Sequence, residues 1–261
     1  MPRVKVVTWN VNSLKMRLPR ILEFTEMHAP DVLLLQETKA EAAAFPALEL
    51  EAAGYGAVHH SAGRWAGVAV LARKGLEVGE TALGLPGEPD PFEARWVEAQ
   101  VEGVRMISTY VINGRSLDSP LYADKLAFLA AAADRVAALR EAGEEVVLGG
   151  DFNVTRDDRD VYDPVAFANA THVQPQERAA FEAILDRGAL ADAYRELHPD
   201  DVHYTWWDYR AGNFHKGLGL RIDYLLASPG VASRLEACGI ERDFRKGKKP
   251  SDHAPLMAVV A

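Results

Sequence analysis

Residues 96–110, WVEAQVEGVRMISTY, decide which kind of sheet this chain can build. Two strand-like apolar runs, Trp96–Val101 and Val104–Tyr110, are separated only by Glu102 and Gly103. A two-residue connection ending in glycine is a tight hairpin loop, so the runs pair antiparallel and a purely parallel doubly wound sheet is disfavoured. Working outward, strand-like segments fall at 4–9, 32–35, 68–72, 146–148, 222–226 and 255–260. Helical patterns lie between some of them. The clearest, 121–142, is apolar on one face and meets Gly143 as a stop. Others cover 18–28, ending ahead of Pro30, and 176–187, while GLPGEPDP (84–91) reads as a surface loop and GYG (54–56) as a turn. Mixed strand directions with a few helices predict an α/β sandwich: two mixed β-sheets face to face, helices outside, in a single domain over 1–261.

The 261 residues, 48% of them hydrophobic, suffice for one large core. The chain enters VKVVTWN without a basic leader or apolar h-region, and no apolar run reaches membrane-spanning length, which predicts a soluble, cytoplasmic protein. Cys238 is alone, leaving no intramolecular disulfide or cysteine zinc site, and reads as a small buried hydrophobe. A formal charge of −9 argues against a nucleic-acid partner for the chain as a whole. Yet ERDFRKGKKPSDH (241–253) gathers Arg242, Arg245, Lys246, Lys248 and Lys249, a basic rim beside an acidic centre.

Polar residues collect where the strands end. In VVLGGDFNVT (146–155), Gly149 and Gly150 allow close approach of a backbone or ligand and are expected to clear room for a phosphate and a metal. Asp151 and Asn153, two apart, point the same way. TWNVN supplies Asn10 and Asn12, VLLLQET supplies Glu37, RIDYLL carries Asp223, and PSDHAP carries Asp252 and His253. Singly these are turn formers or solvated acids; gathered on one sandwich edge they match metal-assisted hydrolysis. Carboxylate and amide oxygens without cysteine suit Mg²⁺, or Mn²⁺ as a substitute, whose shell is completed by substrate phosphate. A phosphodiester needs an activated water, charge neutralisation and a stabilised leaving oxygen, which His253 with a carboxylate partner, Asp151 with Asn153, and Glu37 can supply. His59, His60, His172, His198, His203 and His215 show no ligand spacing and read as surface or turn histidines, and RDDRD (156–160) as a solvated loop.

TWNVNSL, QETK, GVAVLAR, TYVINGR, KLAFL, GGDFNV, TWWDYR, GLRIDYLLAS and KPSDHAP, in this order along nearly the whole chain, resemble the exonuclease III family, the class II abasic-site (AP) DNA repair endonucleases of the endonuclease/exonuclease/phosphatase superfamily. The resemblance implies the four-layer α/β sandwich of the DNase I-like fold. It also implies a monomeric Mg²⁺-dependent nuclease acting on double-stranded DNA, cutting 5′ to abasic sites, with 3′→5′ exonuclease and 3′-end trimming activity. By position, Glu37 is then the principal metal ligand, with Asn12 and Asp252 nearby. His253, oriented by Asp223, contacts the scissile phosphate; Asp151 activates the water or assists the leaving oxygen; Asn153 positions it; Asn10 and Tyr110 complete the ring. Either Asp151 or His253 is the base.

The resemblance further places Trp206, Leu220 and Ile222 around a slot for a flipped, base-less sugar, with Trp207 as a further wall or as core. Asn113 and Arg115 reach into the DNA, and Arg95 is a candidate phosphate contact. One departure stands out: Ile112 occupies the family's usual proline position, and loss of the fixed φ is expected to loosen the loop carrying Asn113 and Arg115. The rival readings are a superfamily phosphatase acting on inositol or lipid phosphates, and a non-catalytic nucleic-acid-binding regulator.

Overall fold

The computed structural model describes residues 3–261; Met1 and Pro2, ahead of the first strand, lie outside the described residues. The strands are β1 (Val4–Asn10), β2 (Val32–Gln36), β3 (Tyr55–His60), β4 (Val68–Arg73), β5 (Val78–Leu83), β6 (Trp96–Val101), β7 (Val104–Tyr110), β8 (Val146–Asp151), β9 (Ala191–Asp192), β10 (Asp223–Ala227), β11 (Leu235–Ile240) and β12 (Leu256–Val260). The helices are α1 (Leu14–His28), α2 (Ala47–Ala52), α3 (Pro120–Glu141), α4 (Pro164–Phe167), α5 (Pro175–Gly188), α6 (Ala193–Leu197), α7 (Asn213–Lys216) and α8 (Pro229–Ala232).

The hairpin forms as read. β6 and β7 pair antiparallel from Trp96↔Thr109 to Val101↔Val104, and Glu102 and Gly103 both take positive φ, +50° and +79°, as a primed two-residue turn requires. Two six-stranded sheets result, ordered β11-β12-β1-β2-β4-β3 and β5-β6-β7-β8-β10-β9. Each contains one parallel pair, β1 with β2 and β7 with β8, bridged by α1 and α3 respectively. Strand side chains alternate between two apolar layers. Val6, Val32 and Leu34 face Val97, Ala99, Val147 and Leu225 between the sheets. Val7, Trp9, Leu33 and Leu35 face outward onto Ile21 and Phe24 of α1, and on the other side Ile107, Leu148 and Tyr224 meet Phe128 of α3 and Phe181 of α5. The result is the four-layer sandwich.

Three local readings are corrected. A Cβ on Gly149 would lie 2.6 Å from the Leu34 side chain and 3.2 Å from that of Thr8, both in the opposite sheet; one on Gly150 would lie 2.0 Å from the Thr109 carbonyl oxygen. These glycines make room for protein, not for phosphate. Tyr55 and Gly56 begin β3, so only Gly54 of GYG is a turn residue, and His59 and His60 stand in that strand rather than in a turn. Asp160 of RDDRD is fully buried, accepting from Arg221 Nε at 2.8 Å, Arg221 Nη2 at 3.0 Å and Arg195 Nη2 at 2.7 Å, because Arg221 needs a counter-charge inside the protein.

Candidate active site

Topology delivers the polar residues to one end of the sandwich. β1, β2, β7 and β8 finish there, at or just before Asn10, Glu37, Tyr110 and Asp151, whereas β10 starts there with Asp223 and the segment ahead of β12 brings Asp252 and His253. Asn12, Glu37 and Asn153 take φ of +43°, +51° and +51° as the chain leaves the strands. For side chains with a Cβ that costs on the order of 1 kcal/mol each, so the surrounding bonds must hold it.

Those bonds form one network. Asn10 Nδ2 donates to Glu37 Oε1 at 2.8 Å and to Asp151 Oδ2 at 2.9 Å. His253 Nδ1 donates to Asp223 Oδ2 at 2.8 Å, leaving Nε2 3.6 Å from Asp151 Oδ2. The Asn153 amide nitrogen donates to Asp151 Oδ1 at 2.9 Å. Asn12 Nδ2 and Trp206 Nε1 donate to the two oxygens of Asp252, each at 3.0 Å. Lys39, not singled out in the sequence, places Nζ 2.6 Å from Glu37 Oε2 and 2.7 Å from Asn12 Oδ1.

Burial sets the electrostatics. It drives the Asp151 carboxyl up to about 7, with Asp223 and Glu37 adding to the rise and the His253 imidazolium and Asn10 opposing it. Burial lowers His253, but Asp223 and Asp151 outweigh that and hold the imidazole up, at about 10. Tyr110, partly buried, is held well above the usual phenol range by burial and by the neighbouring Glu37 and Asp151 carboxylates, and stays neutral. For Asp252, burial is outweighed by His253, Trp206 and Asn12, which hold it below the usual carboxylate range.

A cation fits here. Glu37, Asp151 and His253 each bring one ligand-type atom within 4.8 Å of the others, and with the imidazole protonated the two carboxylates are the donors open to a cation. Two carboxylates beside a neutral phenol and amides form a hard-oxygen set of the kind Mg²⁺ takes.

A cavity of about 180 Å³ opens beside this cluster, walled by Trp206, Leu220, Ile222, Asn113 and His172 among others. Leu220 and Ile222 are buried with Val161, and Tyr162, Phe167, Val173 and Trp206 pack against them. Trp207 is core, buried against Phe214. His172 stands in a turn, as read, with φ of +82°, but it is not a bystander: it lines the cavity, and its Nδ1 donates to the Asn153 carbonyl oxygen at 2.5 Å. Burial, with Lys125 nearby, pushes it down to about 3, so it is neutral. Lys125, unmarked by any motif in the sequence, is fully buried, donates to the same carbonyl at 2.6 Å and pairs with Glu177.

The loop after β7 is held despite Ile112. That side chain is buried in the core between α3 and β7, and Asn113 Nδ2 donates to Asn153 Oδ1 at 3.0 Å, so burial replaces the stiffness of proline. Arg115 is exposed, with its amide bonded to Asn113 Oδ1 at 3.1 Å. Arg95 turns inward, pairing with Glu93 at 2.5 Å and stacking 4.8 Å over the Tyr110 ring, and is not poised for phosphate. Of the basic rim, Arg242, Lys246, Lys248 and Lys249 are exposed, Arg242 also lying 4.2 Å from the Phe214 ring centroid, and only Arg245 is buried. Cys238 is buried, and burial pushes its thiol up, as expected of a packing residue. No helix among the described residues is long and apolar enough to cross a membrane.

Comparison with known proteins agrees with this geometry. Residues 7–253 match the Endonuclease/Exonuclease/phosphatase family. Exodeoxyribonuclease III of Haemophilus influenzae is 30% identical over 276 residues, covering 98% of this chain and 99% of that protein. Among solved structures, the 3′ phosphatase NExo from Neisseria, bound to a product DNA hairpin, superposes with a TM-score of 0.95 at 38% identity over 99% of both chains. An AP endonuclease from Archaeoglobus fulgidus superposes with a TM-score of 0.93 at 34% identity, covering 98% of this chain and 99% of its own. The chain belongs to the Endonuclease/Exonuclease/phosphatase family and stands within it among the DNA repair nucleases.

Proposed function

We propose that this protein is a Mg²⁺-dependent DNA repair nuclease that hydrolyses the phosphodiester 5′ to abasic sites in duplex DNA and trims 3′ ends. The observation that carries this reading is the Asp223–His253–Asp151 array beside Glu37, next to a small cavity walled by Trp206, Leu220 and Ile222. Glu37, with Asn12 and Asp252, would hold the ion, which when bound neutralises charge on the phosphate. His253, kept cationic by Asp223, donates from Nε2 to a phosphate oxygen. Asp151 takes the proton of the attacking water or returns one to the leaving 3′ oxygen, and Asn153 fixes its orientation. Neutral Tyr110 and Asn10 hold Glu37 and Asp151 in place. The network is supplied by one chain, which supports a monomer, and a lone buried cysteine is compatible with the cytoplasm.

A second reading, in which 3′-end trimming outweighs abasic incision, is favoured by one observation: the His172 ring occupies part of the wall of the proposed sugar slot. Both are tested with duplexes carrying a tetrahydrofuran abasic analogue or a 3′-phosphate, with Mg²⁺ or EDTA, for wild type, Asp151→Asn and His172→Ala. Mg²⁺-dependent incision at the analogue, lost in Asp151→Asn, supports the first. Slow incision that His172→Ala accelerates, with 3′-phosphate release unchanged, supports the second. No reaction on either substrate by folded protein removes both.

A further inference from the structure

A second cavity, of about 280 Å³, lies beside the loop that carries Trp206 and is lined by Asp208, Tyr209, Asn213, His215, Arg245 and Lys246, among others. Its distinguishing feature is Arg245, only 6% exposed although it belongs to the most basic stretch of the chain. One guanidinium nitrogen, Nη2, donates to the Trp207 carbonyl oxygen at 3.1 Å, and the group lies 4.7 Å from the Tyr209 ring centroid and 5.3 Å from that of Phe214. Its Nε is buried without a hydrogen-bond partner, and Arg245 forms no ion pair among the described residues.

The acids around it offset that cation only in part: Asp252 and Asp208 act on it through space, and neither bonds it directly. Asp208 is engaged by Arg210, through Nε at 3.0 Å and Nη2 at 2.5 Å, and Lys246 is paired outward with Asp243 at 2.6 Å. Arg17 adds a second guanidinium, with Nη2 2.9 Å from the Tyr209 hydroxyl. Aromatic faces offset part of the cost of burying a guanidinium, but an unpaired charge with an unused N–H still calls for an anion. A guanidinium that lines a cavity with an N–H unspent suits a tetrahedral oxyanion.

We propose that this cavity is a phosphate-binding subsite distinct from the catalytic end, filled by a phosphate group of the DNA strand away from the scissile bond or by that of a free mononucleotide. Its position ties it to the reaction centre. The Tyr209 hydroxyl donates to the Pro250 carbonyl oxygen at 2.8 Å, two residues before Asp252, while Trp206 on the same loop donates to Asp252 itself. A phosphate held by Arg245 is thereby registered against the segment carrying Asp252 and His253.

The test is the thermal shift of the metal-free protein on titration with inorganic phosphate, which needs no nuclease activity and so stands or falls apart from the function proposed above. Wild type is compared with Arg245→Lys, with His215→Glu, which sets a negative charge on the cavity rim, and with His253→Gln as control for the catalytic end. Phosphate is expected to stabilise wild type and His253→Gln, with the shift lost or shrunken severalfold in the other two. A shift lost in His253→Gln but intact in Arg245→Lys and His215→Glu overturns the proposal, as does no shift at all. Steady-state kinetics on abasic duplex then separate the sources. A severalfold rise in KM for His215→Glu, with a salt slope shallower by about one, assigns the subsite to the DNA strand. Unchanged KM with loss of inhibition by deoxynucleoside monophosphate assigns it to the free nucleotide.

Discussion

His253 Nε2 lies 3.6 Å from Asp151 Oδ2, and both side chains are almost wholly withdrawn from water. In the metal-free protein this pair holds on to protons: Asp151 is raised to about 7 and His253 to about 10. A raised carboxyl favours folding while protonated, so its contribution weakens as pH climbs from the unfolded value through about 7; the contribution of the raised imidazole is full below its unfolded value and lost through about 10. A cation bound beside Asp151 favours the ionised carboxylate. Mg²⁺ binding is therefore expected to release close to one proton at about pH 6 and almost none at about pH 9. Calorimetric titration in buffers of different ionisation enthalpy measures this, and a release independent of pH would remove Asp151 as the titrating group.

Asp223 keeps the imidazole charged and aimed. Its Oδ2 accepts from His253 Nδ1 at 2.8 Å, while Oδ1 is buried without a partner. Replacing it with asparagine preserves shape but removes the charge that raises His253. Asp223→Asn is expected to lower kcat by on the order of 10²-fold, with KM little changed. The alkaline limb of the pH–rate profile should move to lower pH, since the cationic imidazole is then lost earlier. A reduced kcat with an unmoved alkaline limb would mean that Asp223 merely supports the fold.

The strands missed in the sequence are β3, β5, β9 and β11, the four outermost strands of the two sheets. Edge strands carry less continuous apolar character: β5 reads VGETAL and is mostly exposed, and β11 reads LEACGI. Interior strands declare themselves by runs such as VLLLQ, because both of their faces are covered. The polar residues at strand ends were legible for the same reason, as abrupt breaks in apolar runs. What stayed hidden were partners made by folding. Lys125 meets Glu177 and Arg221 meets Asp160 across long stretches of chain, and nothing local distinguishes these charges from solvated ones. His172 gave no signal either, since what makes it neutral is burial beside Asn153 and Lys125.

Lys125 and Glu177, packed behind Asn153, tie the site to the stability of the fold. Both are fully buried, and Lys125 Nζ also donates to the Asn153 carbonyl oxygen at 2.6 Å. Removing one partner of such a pair strands the other, so Lys125→Met is expected to cost about 3–5 kcal/mol in denaturant unfolding. The double variant Lys125→Met, Glu177→Leu should cost clearly less than the sum of the two single changes, because no charge is left behind. Additive losses would show that the two charges do not depend on one another.

Gly150 tests the corrected role of the glycines in GGDFN. A Cβ there would lie 2.0 Å from the Thr109 carbonyl oxygen and 2.7 Å from its Cγ2, so β7 and β8 would have to part where they deliver Tyr110 and Asp151. Because the contact is with backbone, no rotamer change relieves it. Gly150→Ala is expected to destabilise the protein by about 3 kcal/mol. It should also lower kcat, because the paired strands carry Tyr110 and Asp151 into a network closed by bonds of about 3 Å. Had these glycines served to admit phosphate, the same change would instead raise KM and leave the unfolding midpoint alone. Unfolding and steady-state kinetics on one variant therefore distinguish a glycine that seats a neighbouring strand from one that seats a ligand.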